Sequence, residues 1–296
     1  MNVDRQEDPI LLSIIVPVAG MAGKLDHLRS WLHEICDLPL EVVIVHDVKD
    51  KETSLELKDI IAHLDSHRIL FTEGSYGSPG LARNAGMELR RGEWVIFWDS
   101  DDQPNVKLTY DSIICAPTET EIIIGNFQKS KRGVTQEIFH KGQLSRVSVD
   151  PGIWRMIFRT KLLKDIQFKE YLMGEDQLFL AKMGLATKKI YFTNKLLYTY
   201  YQGNSHQLTT NHSNLVDLVR TSEDLSIHLK NSVKPHDNFA LQIQSKIALT
   251  LWRSGLITFR RLLSYKPTIM AKLLAVMLTI RLEKIVEVIQ ECRDDS

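Results

Sequence analysis

Three carboxylates lie within four positions of one another, at Asp99, Asp101 and Asp102. They follow directly on a run of bulky apolar residues, 94–98, which is typical of a buried strand. Carboxylates this close repel one another unless a cation or the donors of a ligand compensate their charge. Hard oxygen ligands of this kind suit Mg²⁺ or Mn²⁺, which share substrate phosphates. The alternative is a solvated acidic turn in which Asp102 or Ser100 caps the following helix.

A second acidic pair, Glu175 and Asp176, precedes residues 177–185, whose apolar spacing predicts a helix. A carboxylate at the start of a helix can act as a general base if a substrate hydroxyl comes within hydrogen-bond reach. The alternative is that both acids only favour the positive end of the helix dipole. The two acidic groups together suggest a site that binds charged ligands and moves a proton.

The elements that would position these residues alternate between strand and helix over the first hundred residues. The spacing of apolar residues predicts strands at 11–18, 41–45, 68–71 and 94–98, and helices at 24–35, 53–64 and 81–90. This alternation predicts an α/β fold with a mostly parallel, doubly wound sheet. In such sheets the ligand crevice lies beyond the carboxyl ends of the strands, where Asp47 and the carboxylates at 99–102 are expected.

The second half of the chain is less regular. We expect a helix at 107–114, strands at 122–127 and 190–201, and a hairpin or mobile loop at 129–149. From residue 214 onward the apolar spacing is helical almost to the end, with Pro267 expected to divide the run. A helical C-terminal region over 213–296 is therefore predicted beside an α/β domain over 1–212.

Composition narrows the class of protein. With 296 residues, 44% of them hydrophobic, and a formal net charge of zero, the chain gives no reason to expect a nucleic-acid partner. Three widely spaced cysteines suggest neither a disulfide framework nor a zinc site, which fits a cytoplasmic, reducing compartment. The apolar stretch 10–22 follows acidic residues and is expected to be a strand, since a signal peptide would follow basic ones. No run reaches the length needed to span a bilayer.

Charge is unevenly distributed, because residues 251–285 carry seven basic side chains and one acidic side chain. The default interpretation is a solvated helical bundle that packs on the α/β domain. The alternative is peripheral attachment to an anionic membrane surface, to which each nearby basic residue contributes about 1 kcal/mol.

Five sequence blocks together resemble, in this order, the motifs of family 2 glycosyltransferases with the GT-A fold. They are Ser13–Val18, Glu41–Asp47, Gly80–Gly86, Gly92–Asp102 and Gly174–Asp176. The resemblance covers roughly residues 11–205. It implies a GT-A fold, a Rossmann-like sheet flanked by helices, and a metal-dependent enzyme that transfers a hexosyl or N-acetylhexosaminyl group with inversion. The implied donor is a nucleotide-diphosphate sugar, UDP-linked, and the implied acceptor is a glycan or a lipid-linked glycan of a bacterial-type surface polysaccharide.

The resemblance also implies a role for individual residues. Asp176 corresponds to the family's catalytic base, with Glu175 as its neighbour. The nucleotide-sugar residues would be Pro17, Asp47, Arg83, Asp99 and Ser100, and the Mn²⁺ or Mg²⁺ ligands Asp101, Asp99 and, more weakly, His206. Trp154 would contact the acceptor, although core packing explains it as well.

Several alternatives remain open at this point. Asp47 can instead satisfy its own turn, and Arg83 can instead tie the glycine-containing loop before it to Glu73 or Glu88. A sugar nucleotidyltransferase is expected to have a glycine-rich, basic loop after the first strand, and residues 20–24 match such a loop only weakly. A non-catalytic glycosyltransferase-like subunit that binds partners through its helices is the remaining alternative, and retention of both Asp101 and Asp176 counts against it.

Overall fold

The computed structural model describes residues 9–35, 38–64, 66–203, 214–231, 238–256, 274–275 and 277–283. His206, Pro267 and the predicted domain boundary at 212/213 lie outside the described residues, so those expectations stay predictions. Within the described residues, no helix is long and apolar enough to cross a membrane.

The first half of the chain has the predicted alternation of strands and helices. Its elements are β1 (Leu12–Val18), α1 (Asp26–Leu32), β2 (Leu40–Asp47), α2 (Lys51–Ala62), β3 (Ile69–Gly74), α3 (Pro79–Leu89) and β4 (Trp94–Phe97). The strands pair in parallel in the order β3-β2-β1-β4. Side chains of β1 and β2 are almost all buried, as expected for central strands that helices cover on both faces.

The second half extends the same sheet with mixed strand directions. Its elements are β5 (Gln103–Pro104), α4 (Val106–Ile114), β6 (Ile122–Lys131), β7 (Val134–Ile138), α5 (Leu144–Val147), β8 (Met156–Arg159), α6 (Glu175–Met183), β9 (Ile190–Gln202), α7 (Leu215–Asn231) and α8 (Asn238–Arg253). Beyond β4 the order continues β8-β6-β9-β5, with β7 paired to β6. Strand β8 is antiparallel to β4 and to β6, whereas β6 and β9 are parallel.

The uncertain segment 129–149 contains the hairpin of β6 and β7, followed by the short helix α5. The hairpin turn at Arg132 and Gly133 has positive φ angles of 52° and 80°. Strands β5 and β8 were not expected from the sequence, because both are too short to show a hydrophobic period. The α/β architecture itself is as predicted.

Helices α7 and α8 pack against α6 and share its core. Leu218, Leu225, Phe239, Ile243 and Ile247 are buried in the cluster that also contains residues of the sheet and of α6. The apolar residues that recur every four positions in α8 therefore face the α/β core, as expected for a packed helix. The prediction of helices after residue 214 is confirmed for α7 and α8.

Candidate active site

A cleft of about 460 Å³ lies at the carboxyl ends of the parallel strands. Residues from the ends of β1, β2 and β4, the start of α3 and the start of α6 line it. The predicted site residues in the described part of the chain all line this cleft: Pro17, Asp47, Arg83, Asp99, Ser100, Asp101, Trp154, Glu175 and Asp176. The fold thus brings residues from distant parts of the sequence into one site, while the individual roles remain predictions.

Asp102 points away from the cleft and ties the end of β4 to β9. Its buried carboxylate accepts hydrogen bonds from the Tyr198 hydroxyl at 3.0 Å and from the Tyr201 amide at 2.8 Å. Burial, and then the charges of Asp101 and Asp99, raise the pKa of Asp102 well above its usual value. Its role is to hold the strand end in place.

The acidic-turn alternative predicts that Ser100 or Asp102 caps the next helix, and this prediction is wrong. Asn105 caps α4, because its side chain accepts a hydrogen bond from the Leu108 amide at 2.9 Å. Neither Ser100 nor Asp102 serves as this cap. Asp99 and Asp101 therefore remain as the carboxylates of the strand end that face the cleft.

Tyr198 is a site residue that the sequence did not identify. Its hydroxyl donates to Asp102 and accepts a hydrogen bond from the Asp99 amide at 3.1 Å. The Tyr198 hydroxyl thereby links the backbone amide of Asp99 to the buried carboxylate of Asp102. The only sequence signal is an aromatic residue at alternate positions of β9, Tyr198 and Tyr200, which also fits ordinary core packing.

Arg83 joins the two acidic groups of the cleft. Its buried guanidinium donates to Asp99 at 2.7 Å and to Glu175 at 2.7 Å. Burial by itself lowers the pKa of Arg83, but the charges of Asp99 and Glu175 outweigh burial and raise the pKa above its usual value. The expected alternative of a bond to Glu73 is wrong, because Glu73 pairs with Lys58 at 2.8 Å.

Close packing at Gly80 makes this bridge possible. A β-carbon at Gly80 would lie 2.4 Å from the carbonyl oxygen of Lys169, so a larger residue would push the first turn of α3 away from the segment before α6. Helix α3 begins here, with Ser78 as its cap and Pro79 in its first turn. Gly80, two positions after the capping Ser78, is therefore needed for the packing of α3.

Glu175 and Asp176 begin α6 and have different surroundings. Gly174, with a φ of 87°, turns the chain into the helix. Glu175 is buried in its bond to Arg83, whereas Asp176 accepts a hydrogen bond from the Gln177 amide at 2.7 Å. Burial first, and then the charge of Glu175, raise the pKa of Asp176 to about 7 against the opposing charge of Arg83. A carboxylate with such a pKa is suited to accept a proton near neutral pH.

Asp47 organises the loop between β3 and α3. Its Oδ2 accepts hydrogen bonds from the amides of Tyr76 at 3.2 Å and Gly77 at 2.8 Å, and its Oδ1 accepts one from Lys49 at 3.1 Å. The bond from Gly77 is the largest of the causes that lower the pKa of Asp47. Asp47 thus bonds to the backbone of its own turn and of the next loop, as the turn alternative predicts. Its Oδ1 keeps one acceptor position for a ligand.

Trp154 is mainly a packing residue at the edge of the cleft. Its ring stacks on Tyr198 with centroids 4.5 Å apart and on Tyr200 at 5.6 Å, and meets Phe127 edge-on at 4.7 Å. It is buried, so only a small part of the ring faces the cleft. The two explanations for this residue, core packing and acceptor contact, are compatible with each other.

The loop after β1 is tied to α2. The Gly20 amide donates to Asp50 at 2.6 Å, and the Gly23 amide donates to Glu56 at 2.8 Å. A phosphate-binding loop of a nucleotidyltransferase would present such amides to its ligand. Here carboxylates of the same chain occupy them, which disfavours that alternative.

Within the described residues, no group of three or more histidine, cysteine, aspartate or glutamate side chains is arranged to hold a metal ion. Asp99 and Asp101 supply two hard oxygen donors on the cleft wall. Such a pair fits Mg²⁺ or Mn²⁺, which commonly bind through one or two carboxylates with waters and substrate phosphates as the other ligands. His206, the weaker candidate ligand, lies outside the described residues.

Comparison with known proteins gives one family. The family model described as "Glycosyl transferase family 2" matches residues 13–180. The chain is 26% identical over 216 residues to the glycosyltransferase GlyA of Streptococcus pneumoniae serotype 4, covering 64% of this chain and 30% of GlyA. It is 30% identical over 201 residues to the poly(ribitol-phosphate) beta-N-acetylglucosaminyltransferase TarS of Staphylococcus aureus strain Mu50, covering 64% of this chain and 35% of TarS.

The chain thus matches only about a third of the length of these two relatives. Among solved structures, it is similar to residues 1–349 of S. aureus TarS in complex with UDP-GlcNAc. The TM-score is 0.61, the identity is 21%, and the match covers 92% of each chain. The expectation of a GT-A-like α/β fold, with helices at the C-terminus, is confirmed by this similarity.

Proposed function

This chain belongs to glycosyl transferase family 2, and from that premise we propose that it transfers a sugar, with inversion, from a UDP-linked donor to a glycan or lipid-linked acceptor. The observation that carries the proposal is the sharing of one cleft by Asp99 and Asp101, Asp176, and the bridging Arg83. A glycosyl transfer needs charge stabilisation on one side of the anomeric carbon and a base on the other. The cleft contains groups for both tasks.

The donor would lie along the carboxyl ends of β1, β2 and β4. Asp47 would accept a hydrogen bond from the base through Oδ1, while Pro17 and Ser100 would line the nucleotide. Asp99 would contact the ribose or a metal-bound water. The names of the relatives support a UDP-linked hexosyl or N-acetylhexosaminyl donor, since the relative TarS is an N-acetylglucosaminyltransferase and its similar structure contains UDP-GlcNAc.

Asp101, with Asp99, would hold Mn²⁺ or Mg²⁺ together with the diphosphate of the donor. The cation would supply Lewis-acid neutralisation of the charge that the leaving diphosphate oxygen gains. Arg83 would act mainly by position. Its Nη1 and Nη2 groups already donate to Glu175 and Asp99, so it would orient these two carboxylates in the cleft.

Asp176 would be the base. As the acceptor hydroxyl oxygen bonds to the anomeric carbon, its proton passes to a carboxylate oxygen of Asp176, and the bond to the diphosphate breaks on the opposite face. Glu175 would orient the start of α6 through Arg83, since its own carboxylate is buried in that ion pair. Attack from the face opposite the leaving group inverts the configuration at the anomeric carbon.

Synthesis of a bacterial-type surface polysaccharide is the expected setting, on the cytoplasmic face of the membrane. Leu274, Leu278 and Leu282 are exposed and recur at a spacing of four, which supports peripheral attachment through the basic C-terminal region. Flotation with vesicles that contain anionic lipid tests this attachment. Leu278→Gln with Leu282→Gln should abolish flotation, whereas Leu55→Gln, an exposed leucine of α2, should not. Equal flotation of all variants would remove the membrane proposal.

The transfer proposal is tested by incubating the full chain with a panel of nucleotide sugars, Mn²⁺ or Mg²⁺, and glycan acceptors. Release of nucleoside diphosphate and a product of inverted anomeric configuration, seen by NMR, are the expected results. A product of retained configuration would contradict the proposed mechanism. No release with any donor, together with co-purification of a second glycosyltransferase subunit, would favour the non-catalytic alternative.

A further inference from the structure

A group of cations surrounds one carboxylate beside the cleft, and the proposed transfer reaction does not use it. We call it the cation cluster, and it consists of Lys129, Arg155, Lys246 and Asp150. The Lys129 ammonium lies 2.7 Å from Asp150 Oδ1, and the Lys246 ammonium lies 4.0 Å from the same atom. Arg155 donates to the Asp150 carbonyl oxygen at 2.7 Å, and Lys246 donates to the carbonyl oxygen of Val149.

The charges of the cation cluster do not balance. Among the described residues, Lys129 and Lys246 share the single carboxylate of Asp150, and Arg155 contacts the Asp150 carbonyl oxygen, so the four side chains together carry three positive charges and one negative charge. Burial lowers the pKa of Lys246, and burial also lowers the pKa of Arg155 to about 10. Arg155 Nε is buried and has no hydrogen-bond partner in the structure. An excess of positive charge that is partly removed from water is costly, so a further anion would stabilise this arrangement.

The cation cluster is open to solvent. The side chains of Lys129, Lys246 and Asp150 are 22%, 27% and 29% exposed. An anion can therefore reach the two ammonium groups without unfolding any element. Lys129 lies on β6, Lys246 on α8, and Asp150 and Arg155 in the segment between α5 and β8, so three separate parts of the chain converge here.

The cation cluster adjoins two residues of the cleft wall, Tyr200 and Trp154. Lys129 pairs in the sheet with Tyr200, which lines the cleft, and Arg155 directly follows Trp154, which also lines it. The charge of Asp176, the proposed base, acts on Lys246 and partly offsets the lowering of its pKa by burial. The residues proposed for the donor, in contrast, lie on β1, β2 and α3 and shortly after β4. The excess charge is thus near the base and away from the elements proposed for the nucleotide.

From this arrangement we propose that the cation cluster binds a phosphate group of the acceptor. The proposal rests on the proposed transfer function and deepens it, because it names an acceptor class that carries phosphate close to the reacting hydroxyl. Lysine ammonium groups bind phosphate as flexible point charges, and charge-assisted hydrogen bonds of this kind are strong. The phosphate could belong to a polyol-phosphate polymer or to the diphosphate of a lipid-linked acceptor.

Binding assays on the full chain separate these sources. The probes are an oligomer of ribitol phosphate, free ribitol, and a short-chain prenyl diphosphate, each measured by calorimetry with UDP present. We expect one of the two phosphate probes to bind, with an affinity that falls as salt rises, and ribitol to bind at least about tenfold more weakly. Ribitol binding as tightly as its phosphate oligomer, with no binding of the prenyl diphosphate, would overturn the proposal.

Variants locate the site. Lys246→Met and Lys129→Met keep the apolar stems and should each weaken binding of the phosphate probe about tenfold, while Lys246→Arg should retain most of it. Lys107→Met is the matched control, because Lys107 is an exposed, paired lysine of α4 that does not line the cleft. If Lys246→Met and Lys129→Met both bind the probe like wild type, the cation cluster is not the site.

Affinity for UDP distinguishes this failure from failure of the proposed function. All four variants should bind UDP with the affinity of wild type, because none of these side chains lines the cleft. Loss of phosphate-probe binding with unchanged UDP affinity supports the acceptor subsite. A chain that binds the phosphate probe but neither UDP nor any other nucleoside diphosphate would sink the transfer function while leaving the anion site in place.

Discussion

Arg83 and Glu175, which lie 92 positions apart in the sequence, form a buried ion pair of 2.7 Å in the wall of the cleft. The pair joins the start of α3 to the start of α6, and the same guanidinium reaches Asp99 after β4. The charge of Arg83 also opposes the rise in the pKa of Asp176. The two acidic groups of the cleft are therefore coupled both mechanically and electrostatically through one residue.

Asp176→Asn should abolish transfer while it leaves donor binding intact. The amide cannot accept the acceptor proton, and loss of a general base typically costs about 100- to 10,000-fold in rate. Product formation and UDP affinity are measured on the same preparation. Asp111→Asn, in a partly exposed carboxylate of α4 that does not line the cleft, is the control and should transfer normally. Turnover of Asp176→Asn at the wild-type rate would remove this residue from the base role.

The pH dependence of transfer should report the raised pKa of Asp176, about 7. The base must be ionised, so kcat/KM should rise about tenfold per pH unit below 7 and level off above it. Donor affinity measured over the same pH range separates this effect from ionisation of the diphosphate. A rate that is constant between pH 5.5 and 8.5 would contradict a base with this pKa.

Asp176→Asn should also stabilise the fold at alkaline pH. The usual pKa of this carboxyl is 3.8, so between that value and about 7 the folded state binds more protons than the unfolded state. The contribution of wild-type Asp176 to stability therefore falls as pH rises through this range. The neutral amide avoids this loss.

The measurement is the midpoint of thermal unfolding at pH 5 and pH 8. The gain from Asp176→Asn should be larger at pH 8. Asp111→Asn should instead shift the midpoint by the same amount at pH 5 and pH 8, because a side-chain bond from Lys107 lowers the pKa of Asp111 below its usual 3.8 and the carboxylate is ionised at both pH values. An equal shift of Asp176→Asn at both pH values would indicate a packing effect unrelated to ionisation.

Asp101→Ala should weaken metal-dependent binding of UDP. With Mn²⁺ present the affinity should fall at least about tenfold, a loss seen even when an outer partner of a metal site is removed. In EDTA, wild type and variant should bind UDP equally weakly. Calorimetric titration with and without Mn²⁺ measures both. A loss of affinity that is the same in EDTA would assign Asp101 to the nucleotide rather than the metal.

Tyr198→Phe should disturb the Asp99–Asp101 element without changing any of its side chains. The variant leaves Asp102 Oδ2 and the Asp99 amide without their shared partner, which should cost about 1–3 kcal/mol of stability. The affinity of the Tyr198→Phe variant for UDP should also fall. Tyr171→Phe, which removes a hydroxyl bonded to Asp224 on α7, should cost stability only. Unchanged UDP affinity in Tyr198→Phe would limit its role to packing.

The sequence alone identified the longer strands, most helices and the residues at the strand ends. Alternation of strand and helix places the carboxyl ends of parallel strands at one edge, so Asp47, Asp99 and Asp101 were expected together. Strands β5 and β8 were missed, because two to four residues cannot show a period. Tyr198 was missed as well, because aromatic residues at alternate strand positions are equally typical of a core.

Only the tertiary structure decided how the charges are paired. The sequence left Arg83 between phosphate and a nearby glutamate, Asp102 without a role, and Glu175 and Asp176 as neighbours of similar kind. Arg83 instead joins Asp99 to Glu175, Asp102 bonds to β9, and burial with the charge of Glu175 raises the pKa of Asp176. Strand periodicity is a local property of the chain, whereas ion pairing depends on distances between segments far apart in the sequence.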